Sequence, residues 1–242
     1  MAELIFYQNP VVLDEEKHAD LKIKPIQNYA YAANAHAVPV VVGEFGQLAL
    51  EFPIAFAKNA TGSFVPLALM GLKESENLFV AEDGRWLGRY VPAFIRRYPF
   101  AVIEADEKMV LCLDEDAECF SLMDGESLFV DKERSPALKH ALDFVEDYQY
   151  QVSFTQDFIK KLEEYDLLSE SECRVSLASG ASFNVKEMFV INQEKLQVLE
   201  GAALESLMQS GMLRAIYAHL VSLGNLTRLL EESEKQAAAV TD

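Results

Sequence analysis

The sequence predicts an α+β protein in one compact unit, with a β-rich N-terminal half of short strands and a helical C-terminal half. Over 29–100, apolar runs rich in Val, Ala, Phe and Tyr alternate with glycine and proline, which is typical of strands. From residue 135 onwards, apolar residues recur three and four positions apart, as on one helix face. No linker or repeat separates the halves, so we expect a single domain over 1–242, β-rich over 1–130 and mainly helical over 131–242.

The composition predicts a folded, soluble chain. Its 242 residues carry a net charge of −18, with 39 Asp plus Glu against 21 Lys plus Arg, and 50% of them are hydrophobic. This apolar content supplies a packed core, which disordered acidic segments lack. Because a strongly negative field repels phosphate groups, nucleic acid and anionic membrane surfaces are unfavourable partners.

No stretch of the sequence has the pattern of a secretory signal or a membrane span. The apolar residues near the N-terminus are interrupted over 8–10, and the longest apolar run, 35–42, is far shorter than the roughly 18 residues of a membrane helix. Cys112, Cys119 and Cys173 form no C-x-x-C pair. We therefore expect a cytoplasmic protein with reduced thiols, without a metal or other cofactor.

The elements of the first half can be placed in chain order. Asp14, followed by two glutamates, predicts the start of a short helix over 14–22. Asp83-Gly84 and Asp124-Gly125 are typical of tight turns. Strands are predicted at VPVVV (38–42), EFPIAFA (51–57), ENLFV (76–80), FAVIEA (100–105), MVLCL (109–113) and ESLFV (126–130).

The second half contains helices interrupted by one hairpin. Ser135-Pro136 predicts the start of a helix, and Thr155 predicts the cap of a second one. A hairpin is expected around Ser179-Gly180, because two strand-like segments flank that turn. Leucine and isoleucine residues spaced three and four apart predict a C-terminal helix over 213–230, which Gly224 is expected to kink or break.

Two metal-binding patterns are present only in part. A calcium loop starting at Asp114 would need Gly at its sixth position and Glu at its twelfth, and neither is there. His18 and Asp20 form an H-x-D pair that, with His219, would resemble an oxygenase triad, but positions two apart on a helix diverge. The sequence favours a solvated acidic turn and an ordinary helix surface instead.

The segment from Trp86 to Phe100 is the strongest candidate for a functional site. It holds the only tryptophan and concentrates arginines beside aromatic rings, in a chain of net charge −18. Pro92 and Pro99 favour extended backbone at the residues before them. If the segment is extended, Arg96 and Arg97 point to opposite faces, so only one of them can line a given pocket.

Two roles for these arginines remain open. In the first, one arginine binds an anionic group, beside Trp86 and Tyr90, while the other pairs with a carboxylate. That carboxylate is an acidic neighbour such as Glu44 or Glu51. In the second, both arginines are internal ion-pair partners. The candidate ligand-binding residues are Trp86, Tyr90, Arg96, Arg97 and Glu44.

The predicted C-terminal helix carries several polar residues, namely Tyr217, His219, Ser222 and Asn225. His219 and Ser222 are three positions apart and share a helix face, whereas Tyr217 does not share it. Packing and capping are the favoured roles of these four side chains.

Several blocks resemble the SapC family of bacterial proteins. They are PVVVGEF (39–45), FPIAFA (52–57), GLKESENLFV (71–80), the segment from Trp86 to Phe100, RVSLASGASFNVKEMFVIN (174–192) and LMQSGMLRAIYAHLVSLGNLTRLL (207–230). The resemblance covers nearly the whole chain, and RRYPF and AHLVSLGN are its most specific parts. A peptide-transporter permease that bears the same name is excluded, because the sequence has no spanning helix.

The resemblance implies an accessory role and supplies no catalytic residues. The family is named after a member associated with a bacterial surface layer, and its members lie in gene neighbourhoods with TonB-dependent receptors. One hypothesis is therefore a soluble, non-catalytic accessory protein of a surface-layer or TonB-linked uptake system, which binds a protein partner. The alternative is a small-molecule binding protein or enzyme acting on an anionic or aromatic metabolite through the segment from Trp86 to Phe100.

Overall fold

The computed structural model describes residues 4–105, 108–171, 174–176, 180, 182–184 and 188–239. It confirms the α+β class, with sheets in the first half and mainly helices in the second. The strands are β1 (Pro10–Val12), β2 (Lys22–Ile23), β3 (Ala37–Pro39), β4 (Ile54–Lys58), β5 (Phe64–Leu69), β6 (Phe100–Ala105), β7 (Lys108–Asp114), β8 (Phe120–Ser121), β9 (Glu126–Ser127), β10 (Phe129–Val130), β11 (Glu133–Arg134), β12 (Leu168–Glu170), β13 (Arg174–Ser176), β14 (Ser182–Asn184) and β15 (Phe189–Ile191). The helices are α1 (Phe45–Leu48), α2 (Ala93–Arg96), α3 (Pro136–Glu164), α4 (Gln193–Gln197), α5 (Gly201–Gln209), α6 (Met212–Ser222) and α7 (Asn225–Ala239).

The central element is an antiparallel five-stranded sheet in the order β12-β15-β4-β5-β3. Smaller antiparallel sheets have the orders β1-β7-β6 and β8-β2-β9, and β10-β11 and β13-β14 are two-stranded. The main hydrophobic core joins the central sheet to α3 and α6, while a second cluster lies between β6, β7 and the first half of α3. Helix α3 therefore packs against both sheets.

The two faces of the central sheet differ in burial. Val38, Ala68 and Ile54 oppose one another across the strands and are fully buried on the face that α6 covers. Pro39 and Leu67 belong to the opposite face, because successive side chains of a strand alternate. Both are only half-buried. This second face therefore remains accessible beside α3.

Helix α3 begins where the sequence predicts, but it continues much further. The Ser135 hydroxyl accepts the Leu138 N–H at 3.2 Å, as expected of a cap, and the helix then runs for 29 residues. The prediction of a second helix capped by Thr155 is wrong. The Thr155 hydroxyl instead donates to the Gln151 carbonyl at 2.7 Å and accepts the Val42 N–H at 3.0 Å. A threonine bonded to the preceding turn is compatible with an uninterrupted helix.

The predicted helix over 14–22 is absent, since this stretch forms turns that lead into β2. The Asp14 carboxylate does accept the Lys17 N–H at 2.7 Å, as a cap would. Pairing of Lys22 with β8 and β9 then draws the chain into a sheet. Such tertiary pairing overrides a local helix signal of this length.

Among the predicted strands, 51–57 and 100–105 correspond to β4 and β6, and 109–113 lies within β7. The prediction for 76–80 is wrong, because only a single bridge between Val80 and Trp86 forms there. The Asn77 side chain accounts for the difference. It donates to the Ala32 carbonyl and accepts the Phe79 N–H, which holds the chain in a turn.

The hairpin around Gly180 and the break at Gly224 are both confirmed. Strands β13 and β14 pair in antiparallel register, although residues 177–179 and 181 of the turn lie outside the described part. Helix α6 ends at Ser222 and α7 begins at Asn225.

Of the cysteines, Cys112 is buried and Cys119 is half-buried. In the described residues, no helix is both long and apolar enough to cross a membrane.

The AHLVSLGN block fixes α6 to the central sheet and the start of α7 to the turn after α1. His219 Nε2 accepts the Ile191 N–H at 3.1 Å, and the Ser222 hydroxyl accepts the Ile54 N–H at 3.0 Å. The Asn225 amide donates to the Ala49 carbonyl at 2.9 Å. The shared face of His219 and Ser222 is confirmed, and both side chains are buried. These contacts give the block a structural role.

We expect Ser222→Ala to lower the free energy of unfolding by about 1–2 kcal/mol, because it leaves the buried Ile54 N–H without its acceptor. Urea unfolding followed by circular dichroism measures the change. Ser153→Ala, at an exposed position of α3, is the control and should change stability by less than about 0.5 kcal/mol. Equal effects of the two substitutions would contradict the role of the Ser222 hydroxyl.

Candidate functional site

Three of the predicted site residues, Glu44, Tyr90 and Arg96, form one hydrogen-bonded cluster. The Tyr90 hydroxyl donates to Glu44 Oε2 at 2.9 Å, and Arg96 Nη2 donates to that hydroxyl at 3.0 Å. Arg96 Nε donates to the Val91 carbonyl, and its guanidinium carbon lies 5.3 Å from the centre of the Tyr90 ring. The hydroxyl of Tyr90 thus both donates and accepts within the protein's own network.

Glu44 also holds the start of α2. Its Oε2 atom accepts the Ala93 N–H at 2.9 Å, and its Oε1 atom accepts the Val41 N–H at 3.1 Å. Burial raises the pKa of Glu44, while these hydrogen bonds act in the opposite direction. Burial and the nearby Glu44 raise the pKa of Tyr90 to about 12, so the phenol keeps its proton at neutral pH.

A second buried carboxylate, Glu51, orders the chain just before this cluster. Both of its oxygens accept the Arg89 N–H, at 2.9 and 2.8 Å, and Oε2 also accepts the Tyr90 N–H at 3.0 Å. The indole N–H of Trp86 donates to the Tyr90 carbonyl at 2.9 Å. Trp86 packs internally, with its ring 6.0 Å from that of Phe79. These contacts fix the backbone of the candidate segment.

At the arginines this segment is helical, so the condition of extended backbone is not met there. Pro92 is itself extended, with ψ at 144°, but α2 begins directly after it. Proline restricts the residue before it and suits a helix start, and Glu44 accepts the first N–H of α2. Arg96 and Arg97 nevertheless diverge, since Arg96 is exposed and Arg97 is only 3% exposed.

Arg97 lies between aromatic side chains. Its guanidinium carbon is 4.1 Å from the centre of the Phe94 ring and 5.2 Å from that of Tyr148 on α3. Burial raises the pKa of Tyr148, and the positive charge of Arg97 acts in the opposite direction. Cation–π contacts of this kind are stronger when the cation is desolvated.

Arg97 lines a cleft of about 860 Å³, which we call the α3 cleft. Its floor is the half-buried face of the central sheet, and one wall is a stripe along α3. The β6–β7 hairpin contributes Val102 and Met109. Residues of the floor and of the α3 stripe are Pro39, Ala57, Val65, Leu67, Tyr148, Gln149, Val152, Thr155, Gln156 and Ile159.

Most of the charged side chains described in the lining of the α3 cleft are basic, whereas the whole chain is acidic. Among the described residues that line it, Lys58, Arg97 and Lys160 accompany one carboxylate, Glu163. Lys58 Nζ lies 5.1 Å from the centre of the Phe64 ring, and Lys160 pairs with an exposed aspartate of its own helix. In a chain of net charge −18, the described lining of this cleft therefore holds more basic than acidic side chains.

The structure separates the predicted site residues. Arg97 lines the α3 cleft, whereas Trp86, Tyr90, Arg96 and Glu44 do not. None of the five lines a second cavity of about 430 Å³ near Tyr31 and Cys119. Their role in ligand binding stays a prediction. The sequence did not indicate the α3 wall. Tyr148, Gln149 and Gln156 have no feature that distinguishes them from other helix positions, and only the tertiary fold brings them beside the sheet.

The positions considered as metal ligands have other contacts. Asp114 is buried and accepts the N–H groups of Gln8 and Asn9 at 3.0 and 2.8 Å. His18 Nε2 lies 3.0 Å from Glu115, while His219 contacts β15. Among the residues that the structure describes, no three His, Cys, Asp or Glu side chains are grouped so as to hold a metal ion.

Comparison with protein families decides where the chain belongs. A family model described as SapC matches residues 13–229. The chain belongs to the SapC family. This match confirms the resemblance drawn from the sequence blocks, and it contains both the Glu44 cluster and the α3 cleft. The match does not bear on the number of domains, so the single domain expected over 1–242 stays a prediction. Searches of curated proteins and of solved structures gave no match.

Proposed function

We propose that this SapC-family protein binds a small organic anion in the α3 cleft. The observation that carries the proposal is the charge of the described cleft lining, in which the exposed Lys58 and Lys160 and the buried Arg97 accompany Glu163, although the whole chain carries −18. A ligand that is anionic gains from this lining, and the cleft focuses the positive potential. The volume of about 860 Å³ is within the usual range of roughly 300–1,000 Å³ for ligand sites.

The protein acts as a binding protein in this proposal, without catalysis. The buried Glu44 and the Tyr90 hydroxyl are the groups most suited to proton transfer, but their hydrogen bonds are made within the protein and outside the cleft lining.

The expected cytoplasmic location is part of the proposal. Subcellular fractionation tests it, and recovery with the envelope fraction would contradict it.

Thermal unfolding in the presence of small anions tests the binding function. At a concentration of about 100 times its dissociation constant, a ligand should stabilise the protein by about 2.7 kcal/mol. For a chain of this size we expect a rise in Tm of about 5–10 °C. The panel comprises aromatic carboxylates, aliphatic carboxylates and phosphate esters. Neutral amides of the same acids are the control, and a panel in which no anion raises Tm would contradict the proposal.

A second candidate function is a non-catalytic accessory protein of a surface-layer or TonB-linked uptake system, which binds a protein partner. Apart from the family resemblance, exposed apolar side chains on α6 and after the neighbouring α1 favour it. Tyr217 and Val221 are one turn apart on α6 and are 54% and 68% exposed. Leu50, which is 70% exposed, follows α1, and α1 contacts α6. Isolated exposed apolar residues are common, whereas grouped ones often mark interfaces.

A pull-down from cells that express the native gene neighbourhood tests this second function. We expect a partner that is retained by the wild-type protein and lost with Val221→Ser. Val198→Ser, at a position that is 80% exposed and outside this surface, is the matched control. Retention of the same partner by both variants would contradict a role for the α6 surface.

A further inference from the structure

We propose that the protein binds an acidic peptide segment of a partner protein at Arg96, whose guanidinium binds a carboxylate of that segment. The binding surface, which we call the Arg96 surface, comprises Arg89, Tyr90, Arg96 and Phe144. None of these four residues lines the α3 cleft, so the inference is independent of the proposed anion-binding function.

Arg96 is an exposed side chain that internal contacts hold in place. Its Nε atom donates to the Val91 carbonyl at 2.8 Å, and its Nη2 atom donates to the Tyr90 hydroxyl at 3.0 Å. The ring centres of Tyr90 and Phe144 lie 5.3 and 5.0 Å from its guanidinium carbon. An exposed arginine ordinarily loses rotamer freedom when it binds a partner, and this loss lowers the affinity. The contacts of Arg96 have already restricted it, so binding costs it less.

The guanidinium of Arg96 keeps donors for a partner. Arginine has five N–H donors, of which the two hydrogen bonds to Val91 and Tyr90 use two, so three remain. Among the described residues, no carboxylate forms an ion pair with Arg96. Carboxylates commonly accept two N–H groups from one arginine. The remaining donors therefore suit a carboxylate that approaches from solvent.

The carboxylate of Glu44 lies on the inner side of this cluster and does not contact the guanidinium directly. The Tyr90 hydroxyl stands between them, since it donates to Glu44 Oε2 at 2.9 Å and accepts from Arg96. The oxygens of Glu44 also accept the N–H groups of Val41 and Ala93. Glu44 is buried, whereas Arg96 is exposed. Glu44 thus helps to position Tyr90 and leaves the outer side of Arg96 to a partner.

Arg89 adds a second basic side chain to this surface. It directly precedes Tyr90 and is exposed, and it forms no ion pair with any residue that the structure describes. Its contacts with Glu51 are made by its peptide N–H and not by its guanidinium. The exposed Arg85 differs, because Asp83 balances its charge at 2.7 Å.

A short acidic segment of a protein fits this surface better than other anionic ligands. Small molecules usually bind in concave sites, and the Arg96 surface lines neither the α3 cleft nor the second cavity. The net charge of −18 repels long polyanions and anionic membranes, and it also opposes binding of a second copy of this chain. A few carboxylates on a peptide interact mainly with charges nearby, because salt screens the more distant ones. Arginine and tyrosine are also enriched at the energetic centres of protein interfaces.

Selection from a phage-displayed library of random peptides, with the immobilised full chain as bait, tests the partner class. We expect the retained peptides to be enriched in Asp and Glu relative to the library. Retained peptides that lack a carboxylate would overturn the proposal. So would a selection that retains no peptide, provided that circular dichroism shows the bait to be folded.

Fluorescence polarisation with the most enriched peptide locates the contact. Arg96→Gln should weaken binding by about 10- to 100-fold, because the charge and the paired donors are both lost. Arg96→Lys should weaken it by a smaller factor, since the charge remains but the paired donors do not. Arg85→Gln is the matched control. It removes an exposed arginine that is already paired with Asp83, so it should change binding by less than about twofold.

Arg89→Gln separates lost binding from an altered fold. This substitution keeps the internal hydrogen bonds of the cluster, because Glu51 accepts the peptide N–H of Arg89. It should weaken peptide binding by about threefold, with a larger effect at low salt. Equal affinities of the wild type, Arg96→Gln and Arg89→Gln would overturn the assignment of binding to the Arg96 surface.

Discussion

Glu51→Gln is expected to lower the free energy of unfolding by about 2–4 kcal/mol. Glu51 is buried, and its carboxylate accepts the N–H groups of Arg89 and Tyr90 at distances of 2.8–3.0 Å. Hydrogen bonds to an ionised acceptor contribute more than neutral ones. Glutamine keeps the shape of the side chain but removes the negative charge. Its NH₂ group would also face a peptide N–H donor at a position where a carboxylate oxygen now accepts. The loss is therefore larger than that of one ordinary hydrogen bond.

Urea unfolding monitored by circular dichroism measures this loss. Glu146→Gln, at an exposed position of α3, is the matched control, and it should change the free energy of unfolding by less than about 0.5 kcal/mol. Similar unfolding curves for the two variants would show that the Glu51 contacts contribute little.

The sequence predicted the elements whose signals are local. Ser135-Pro136 marks the start of α3 because capping involves residues three positions apart, and the strands around 54–58 and 100–105 follow from apolar runs between breakers. The failures have tertiary causes. Lys22 joins a sheet with strands about a hundred residues away, and Asn77 bonds to Ala32, so neither 14–22 nor 76–80 adopts its local preference.

The candidate site was predicted only in outline. The concentration of arginine beside aromatic rings indicated the segment that contains Tyr90, Arg96 and Arg97, but the contacts of these side chains depend on distant residues. Glu44 reaches Tyr90 and Ala93, nearly fifty positions on, and Tyr148 reaches Arg97 from α3. No spacing in the sequence encodes these contacts. The buried carboxylates bind peptide N–H groups of the segment, where the sequence suggested arginine side chains as their partners.

Acidification should destabilise the protein through His219. The side chain is fully buried, and its Nε2 atom accepts the Ile191 N–H, so the ring is neutral with its proton on Nδ1. Protonating Nε2 would break that bond and place a charge next to the Phe56 ring, 5.0 Å away. Burial accordingly lowers the pKa of His219 from 6.5 to about 3, and a backbone contact at Ile54 opposes this only partly.

The sign of the effect follows from proton binding. Between pH 6.5 and pH 3 the unfolded chain carries the proton on His219 and the folded protein does not, so stability falls as the pH falls. Each pH unit within this window costs about 1.4 kcal/mol, or about 2 kcal/mol from pH 6.5 to pH 5. Glu44 acts in the opposite sense, because its pKa is raised in the folded protein. Only a comparison of variants can therefore isolate His219.

His219→Gln provides that comparison, because a glutamine carbonyl can accept the Ile191 N–H and does not titrate. We expect this variant to be less stable than the wild type at pH 7 by about 1–3 kcal/mol, owing to lost packing. The difference should shrink by about 2 kcal/mol at pH 5, since only the wild type is destabilised by protonation of this residue. Urea midpoints at several pH values measure it. A difference that stays constant from pH 7 to pH 5 would show that His219 titrates alike in the folded and unfolded chains.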